Sequence, residues 1–155
     1  MRVMRLTMGA VTMALLIMAG MAAFAGDDID GHRSCNVCGM DRKAYGFSRM
    51  LIRYADGTEG GVCSLHCAVI ELDADKDRAV KVLLVADRDT RTLIDAEKAF
   101  WVIGGSQVGV MSIRGKWAFE EQAGAERFIK ANGGKFASFD EVMKATFEDM
   151  YEILR

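Results

Sequence analysis

The chain has 155 residues, 51% hydrophobic and 27% charged, with 20 Lys+Arg against 22 Asp+Glu. Those proportions exclude collagen-like, low-complexity and strongly disordered classes and predict one compact unit. A net charge of -2 supplies no polycationic surface, so no nucleic-acid partner is expected, and with no proline there are no Pro-rich linkers.

In chain order, Arg2 and Arg5 precede an uncharged apolar stretch from Leu6 to Ala25, and Ala23-Phe24-Ala25 is a small-x-small cleavage signal before Gly26-Asp27-Asp28. Residues 1–25 therefore read as a secretory signal peptide, with an uncleaved anchor as the alternative. Its removal leaves 18 basic against 22 acidic residues, a charge of -4, and takes away six of the 11 methionines. No cysteine stands at the cleavage point, so no stable membrane anchor is expected. A periplasmic location follows, where thiols oxidise unless a metal or a reductase protects them.

Residues 26–34 are polar and acidic, a flexible lead-in containing His32, and residues 35–155 form the folded domain. Residues 47–54 have strand character, Asp56-Gly57 supplies a turn, and a second strand leads to Val62, giving a hairpin. Ser64 can cap a helix carrying Leu65, Ala68, Val69 and Leu72 on its apolar face. Val80 to Ala86 reads as a strand covered on both faces. In the second half, Phe100 to Ile103, Val108 to Ile113 and Lys116 to Phe119 read as strands, and Glu120 to Ala131 as a helix closed by Asn132-Gly133-Gly134. A last helix opens with the capping box Ser138-Phe139-Asp140-Glu141 and buries Val142, Met143, Phe147, Met150 and Leu154. The expected fold is α+β: two small ββαβ-like units sharing one core, a C-terminal helix and a treble-clef-like metal knuckle.

The chemistry lies in two cysteine pairs, Cys35-Asn36-Val37-Cys38 and Cys63-Ser64-Leu65-His66-Cys67. The first spacing folds back as a knuckle; the second, four apart on a helix, separates the side chains by only about 40° in azimuth. The hairpin between them can bring the pairs together. Three readings compete: two disulfides, a closed structural zinc site of Cys35, Cys38, Cys63 and Cys67 with His66 in reserve, and a site that carries a soft metal for transfer. Met40 favours the last, because a thioether is a poor zinc ligand and a good one for Cu(I), and Gly39 lets the Cys38 and Met40 sulfurs reach one ion. Met111, in a Gly-flanked stretch, is a further exposed thioether candidate. Asp87, Asp89 and Asp95 straddle a turn and lack calcium-loop spacing. No acid partner can be argued for either histidine, so hydrolytic catalysis is not expected.

Cys35-Asn36-Val37-Cys38-Gly39-Met40, the Asp56-Gly57 hairpin, Val85-Ala86-Asp87, Leu93-Ile94-Asp95-Ala96 with Ala99, Met111 ahead of Trp117-Ala118-Phe119, and Gly133-Gly134 together resemble the NosL family over roughly residues 35 to 142. These are copper-binding accessory proteins linked to maturation of the copper centres of nitrous oxide reductase. The resemblance implies two ββαβ-like units akin to organomercury lyase, and Cu(I) ligation by Cys38, Met40 and Met111. Many members are lipoproteins, and the Cys63 to Cys67 segment is not a general family requirement. The expected function is a non-enzymatic, extracytoplasmic Cu(I) metallochaperone feeding an acceptor cuproprotein such as nitrous oxide reductase. Zinc-stabilised binding module and thiol-disulfide oxidoreductase using Cys35 and Cys38 are the alternatives; the latter leaves Met40 without a role and lacks a thioredoxin-like βαβ unit.

Overall fold

The computed structural model describes residues 27–153; the expected signal segment and Leu154 lie outside them. A short helix α1 (Asp27–Gly31) is followed by β1 (Met50–Tyr54), β2 (Glu59–Val62), α2 (Leu65–Ala74), β3 (Val80–Ala86) and β4 (Leu93–Asp95). The second half contains β5 (Phe100–Ile103), β6 (Lys116–Phe119), α3 (Gln122–Asn132), β7 (Lys135–Ala137) and α4 (Phe139–Ile153). Among the described residues no helix is long and apolar enough to cross a membrane.

The two halves have the same topology. β1 sits between β2 and β3, β5 between β6 and β7, all antiparallel, so each half is a ββαβ unit; β4 extends the first sheet as β2-β1-β3-β4. The Asp56-Gly57 turn sets the first hairpin in a register pairing Met50 with Val62 and Arg53 with Glu59. A shared core joins the halves: Met50, Ile52, Val62, Leu65 and Val85 of the first pack with Trp101, Ile103 and Ala118 of the second and with Val142 and Ala145 of α4. A smaller cluster of Val102, Trp117, Phe119, Ala125 and Phe128 lies under α3. Buried indoles need a polar partner. Trp101 Nε1 donates to Ala96 O at 2.8 Å and Trp117 Nε1 to Gly104 O at 3.1 Å.

The expected capping box forms at α4: the Ser138 amide donates to Glu141 Oε2 at 2.7 Å and the Glu141 amide to Ser138 Oγ at 3.2 Å. Other segments differ from expectation. Residues 108–113 form no strand; Val108 and Ile113 are exposed, and Met111 takes a left-handed φ of 54°. The loop is held instead by Arg114, which donates to Asp149 Oδ1 at 2.7 Å and to the Ala145 carbonyl at 3.0 Å, both on α4. β3 is covered on both faces only toward its C-terminal end, since Val80 and Lys81 are exposed. On α4, Phe147 is exposed, while Val142 is fully buried. The 26–34 lead-in contains α1, whose Asp28 is buried between two guanidinium groups.

Candidate metal centre

The Cys35 to Met40 segment closes on itself. The Cys35 amide donates to the Met40 carbonyl at 2.8 Å and the Gly39 amide to the Cys35 carbonyl at 2.9 Å, with Gly39 at φ 76°, a left-handed conformation that a side chain would strain. A bridge between Ser34 and Asp41 flanks the loop. The knuckle is pinned to β2 by the Asn36 amide, which donates to the Gly61 carbonyl at 2.9 Å. Cys63 follows the last residue of β2, and Cys67 lies in the first turn of α2. The helix starts only at Leu65, so the chain turn at Ser64, not a shared helical face, brings Cys63 and Cys67 together.

The result is one cluster. The Sγ atoms of Cys35, Cys38, Cys63 and Cys67 all lie within 4.8 Å of one another. Cys63 is its hub, 3.5 Å from Cys38 Sγ, 3.6 Å from Cys67 Sγ and 4.0 Å from Met40 Sδ. Four sulfurs each about 2.3 Å from one ion are about 3.8 Å apart, so the metal-free spacing already approximates a thiolate site. The four cysteines are free thiols; Cys35, Cys63 and Cys67 are buried and Cys38 is solvent-exposed. An accessible sulfur beside a buried set gives an ion a way in and out.

The thiols are electrostatically unequal. The Cys67 thiol donates to Cys63, with further stabilisation from Cys38, Ser64 and Cys35, and together these outweigh burial and lower the Cys63 pKa to about 5. Cys63 also directly precedes Ser64, the N-cap of α2, where the helix dipole favours an anion. Cys67 is shifted upward because it is the donor to that thiolate and because it is buried. Burial raises Cys38, with the Cys35 and Cys63 neighbours adding to it.

Cys35, Cys38, Met40, Cys63 and Cys67 are thus brought together, whereas His66 is not. One residue before Cys67 is about 100° around the helix. The His66 ring lines a narrow cavity between the two units with Trp101, Ser112 and Lys116, its Nδ1 buried and without a partner. Burial, then the charge of Lys116, lowers its pKa, which favours the neutral ring. Met111 lies in the 104–115 connection between β5 and β6, 41% exposed and receiving no thiol hydrogen bond. His32 faces Glu59 of β2, 3.7 Å away.

The sequence reading missed the buried supports. Arg42 and Arg49 are enclosed with Asp28, and Gly61 has His32 and Arg42 packed where a side chain would stand. The Gly60-Gly61 doublet two residues before Cys63 is the signal that marks this close approach.

The NosL family profile matches residues 27–147. Among solved structures, the crystal structure of the copper chaperone NosL from Shewanella denitrificans is similar, with a TM-score of 0.55 and 25% identity, covering 78% of this chain and 92% of that one. No curated protein matches the sequence.

Proposed function

We propose that this chain, which belongs to the NosL family, is an extracytoplasmic, non-enzymatic Cu(I) metallochaperone. It carries one Cu(I) on the sulfur cluster and passes it to an acceptor cuproprotein such as nitrous oxide reductase. The similarity to a copper chaperone supports this reading. The observation that carries it is the Met40 thioether 4.0 Å from the hub sulfur of Cys63. A closed zinc site needs only the four thiolates; a thioether beside them adds affinity for a soft monovalent ion.

The transfer chemistry follows from exposure. Cu(I) meets the exposed Cys38 and the half-buried Met40 first and then Cys63, whose thiolate needs no deprotonation. Each further thiol that binds gives up its proton to solvent. Release reverses the order: an acceptor sulfur or imidazole bonds to the copper as Cys38 or Met40 lets go, so the ion is never free. Met111, on the neighbouring loop, is proposed as a ligand available during hand-over, and His66 has no place in the resting set.

The test is Cu(I) competition with a chelator of known affinity on the reduced chain, comparing Met40→Leu. Leucine keeps the volume and removes the sulfur, so folding is retained. We expect Cu(I) affinity to fall about 10-fold or more while Zn(II) affinity stays unchanged. Equal Cu(I) affinity would remove Met40 from the site and leave the closed four-thiolate zinc reading.

A further inference from the structure

We infer that α1 and the guanidinium of Arg42 are a working part of the metal centre, with Asp28 and Arg42 acting as positioning residues that hold the knuckle sulfurs against Cys63. The inference rests on the functional reading above, because it concerns how the same sulfurs are kept in place.

Arg42 lies two residues beyond Met40 and is completely buried. An arginine has five N–H donors in a fixed fork, and here all five are used. Nε donates to the Val62 carbonyl at 3.2 Å, directly before Cys63. Nη1 donates to the carbonyls of Asp28 at 3.0 Å and His32 at 2.6 Å. Nη2 donates to Asp28 Oδ2 and to the Met50 carbonyl, both at 2.9 Å. One side chain thus joins the end of the knuckle, the start of β1, the end of β2 and the N-terminal helix. Knuckle and hub are consequently fixed to each other through a group that itself depends on α1.

Asp28 holds that group in turn. Its two carboxylate oxygens accept from Arg42 and, at 2.9 Å each, from Nε and Nη2 of Arg49. Two guanidiniums share one carboxylate, which leaves one positive charge in surplus inside the protein. The guanidinium reaches the Val62 carbonyl, one residue before Cys63. Cu(I) on two or more thiolates is a net anion, so the surplus cation lies where the loaded site requires compensation. The packing is built for this contact: a Cβ on Gly61 would collide with His32 and stand 2.9 Å from Arg42 Nη1. A buried ion network is weak evidence of stability for its own sake. Here its hydrogen bonds end on the backbone beside the cluster.

Two measurements test this on the full reduced chain. In Asp28→Asn, Cu(I) affinity is expected to fall about 10- to 100-fold, the range for groups that orient metal ligands. With Cd(II) as a spectroscopic probe, the thiolate-to-metal charge-transfer band should drop as Cys35 and Cys38 leave the cluster, while the near-ultraviolet signal of Trp101 and Trp117 is retained. A merely structural role would lower the melting temperature without changing the thiolate count of the folded protein, and that result overturns the inference. If Asp28→Asn does not fold, the wild type decides. By reciprocity, loading with Cu(I) must slow hydrogen exchange of the His32 amide, which donates to Asp28 O at 3.0 Å, by about tenfold; unchanged exchange overturns the inference. A wild type that takes up neither metal overturns the functional reading instead.

Discussion

Cys63 is where the account is most exposed to test at the scale of single residues. Its lowered pKa, about 5, means that the reduced, metal-free chain carries one thiolate at neutral pH. Because the folded-state pKa lies below the ordinary value of 9.0, the group's contribution to stability grows as pH rises from about 5 towards 9 and is lost as pH falls through about 5. Ultraviolet thiolate absorbance of the metal-free protein should show one step near pH 5, and Cys63→Ser should abolish it. A first step only above pH 8 would contradict the hub assignment. At this scale the clustering of the sulfurs was legible, since C-x-x-C with Gly39 dictates a returning loop that carries the Met40 thioether with it. The direction of His66 was not, because it depends on which face of α2 packs against the second sheet. Nor was the burial of Asp28, an acidic residue in a polar run whose partners lie 14 and 21 positions away.

At the scale of elements, α4 is fastened to the second sheet through Asp149. Its carboxylate, buried, accepts from Arg114 and from the equally buried Lys116. Asp149 carries a lowered pKa: burial works against ionisation, and the Lys116 and Arg114 hydrogen bonds overcome it. Asp149→Asn leaves the Lys116 ammonium buried without a counter-charge and should cost about 3 kcal/mol at neutral pH. The carboxylate's stabilisation is complete above its ordinary value of 3.8 and is lost as pH falls through the lowered folded value. Denaturant unfolding of the two proteins at pH 7 and in acid should therefore show the gap narrowing in acid; an equal gap at both would refute the pairing. The same contacts explain why residues 108–113 are not a strand despite their β-branched content. Gly109 and Gly115 break the stretch, and Arg114 ties it to α4, so the apolar side chains of Val108 and Ile113 have no sheet to enter. Helix α4 was legible because its capping box is a local signal. The three-residue strands β4 and β7 were not, because so short a run carries no periodicity and is paired only by its neighbours.

For the molecule as a whole, two similar units sharing a core were expected from the succession of strand and helix patterns, although the strand that closes the second unit, β7, carried no signal of its own; the halves pack into one core. All five clustered sulfurs belong to the first unit, which leaves the second unit and α4 to complete the core. Carriage and redox catalysis make different demands on this cluster. An oxidoreductase must cycle Cys35 and Cys38 between dithiol and disulfide. A carrier must keep them reduced, since a disulfide sulfur is no longer an anionic ligand. The metal-free chain should therefore show no appreciable insulin reduction, and oxidation should release its copper; robust catalytic exchange abolished by Cys35→Ser would overturn the assignment.

The central claim is that this cluster prefers Cu(I) over zinc because its donors are soft and one side is open. Native mass spectrometry of the reduced chain, equilibrated anaerobically with equal Cu(I) and Zn(II), tests it most directly. One copper per chain with no retained zinc is the predicted result. One zinc per chain, held against Cu(I), would contradict the account and make the four cysteines a structural clasp.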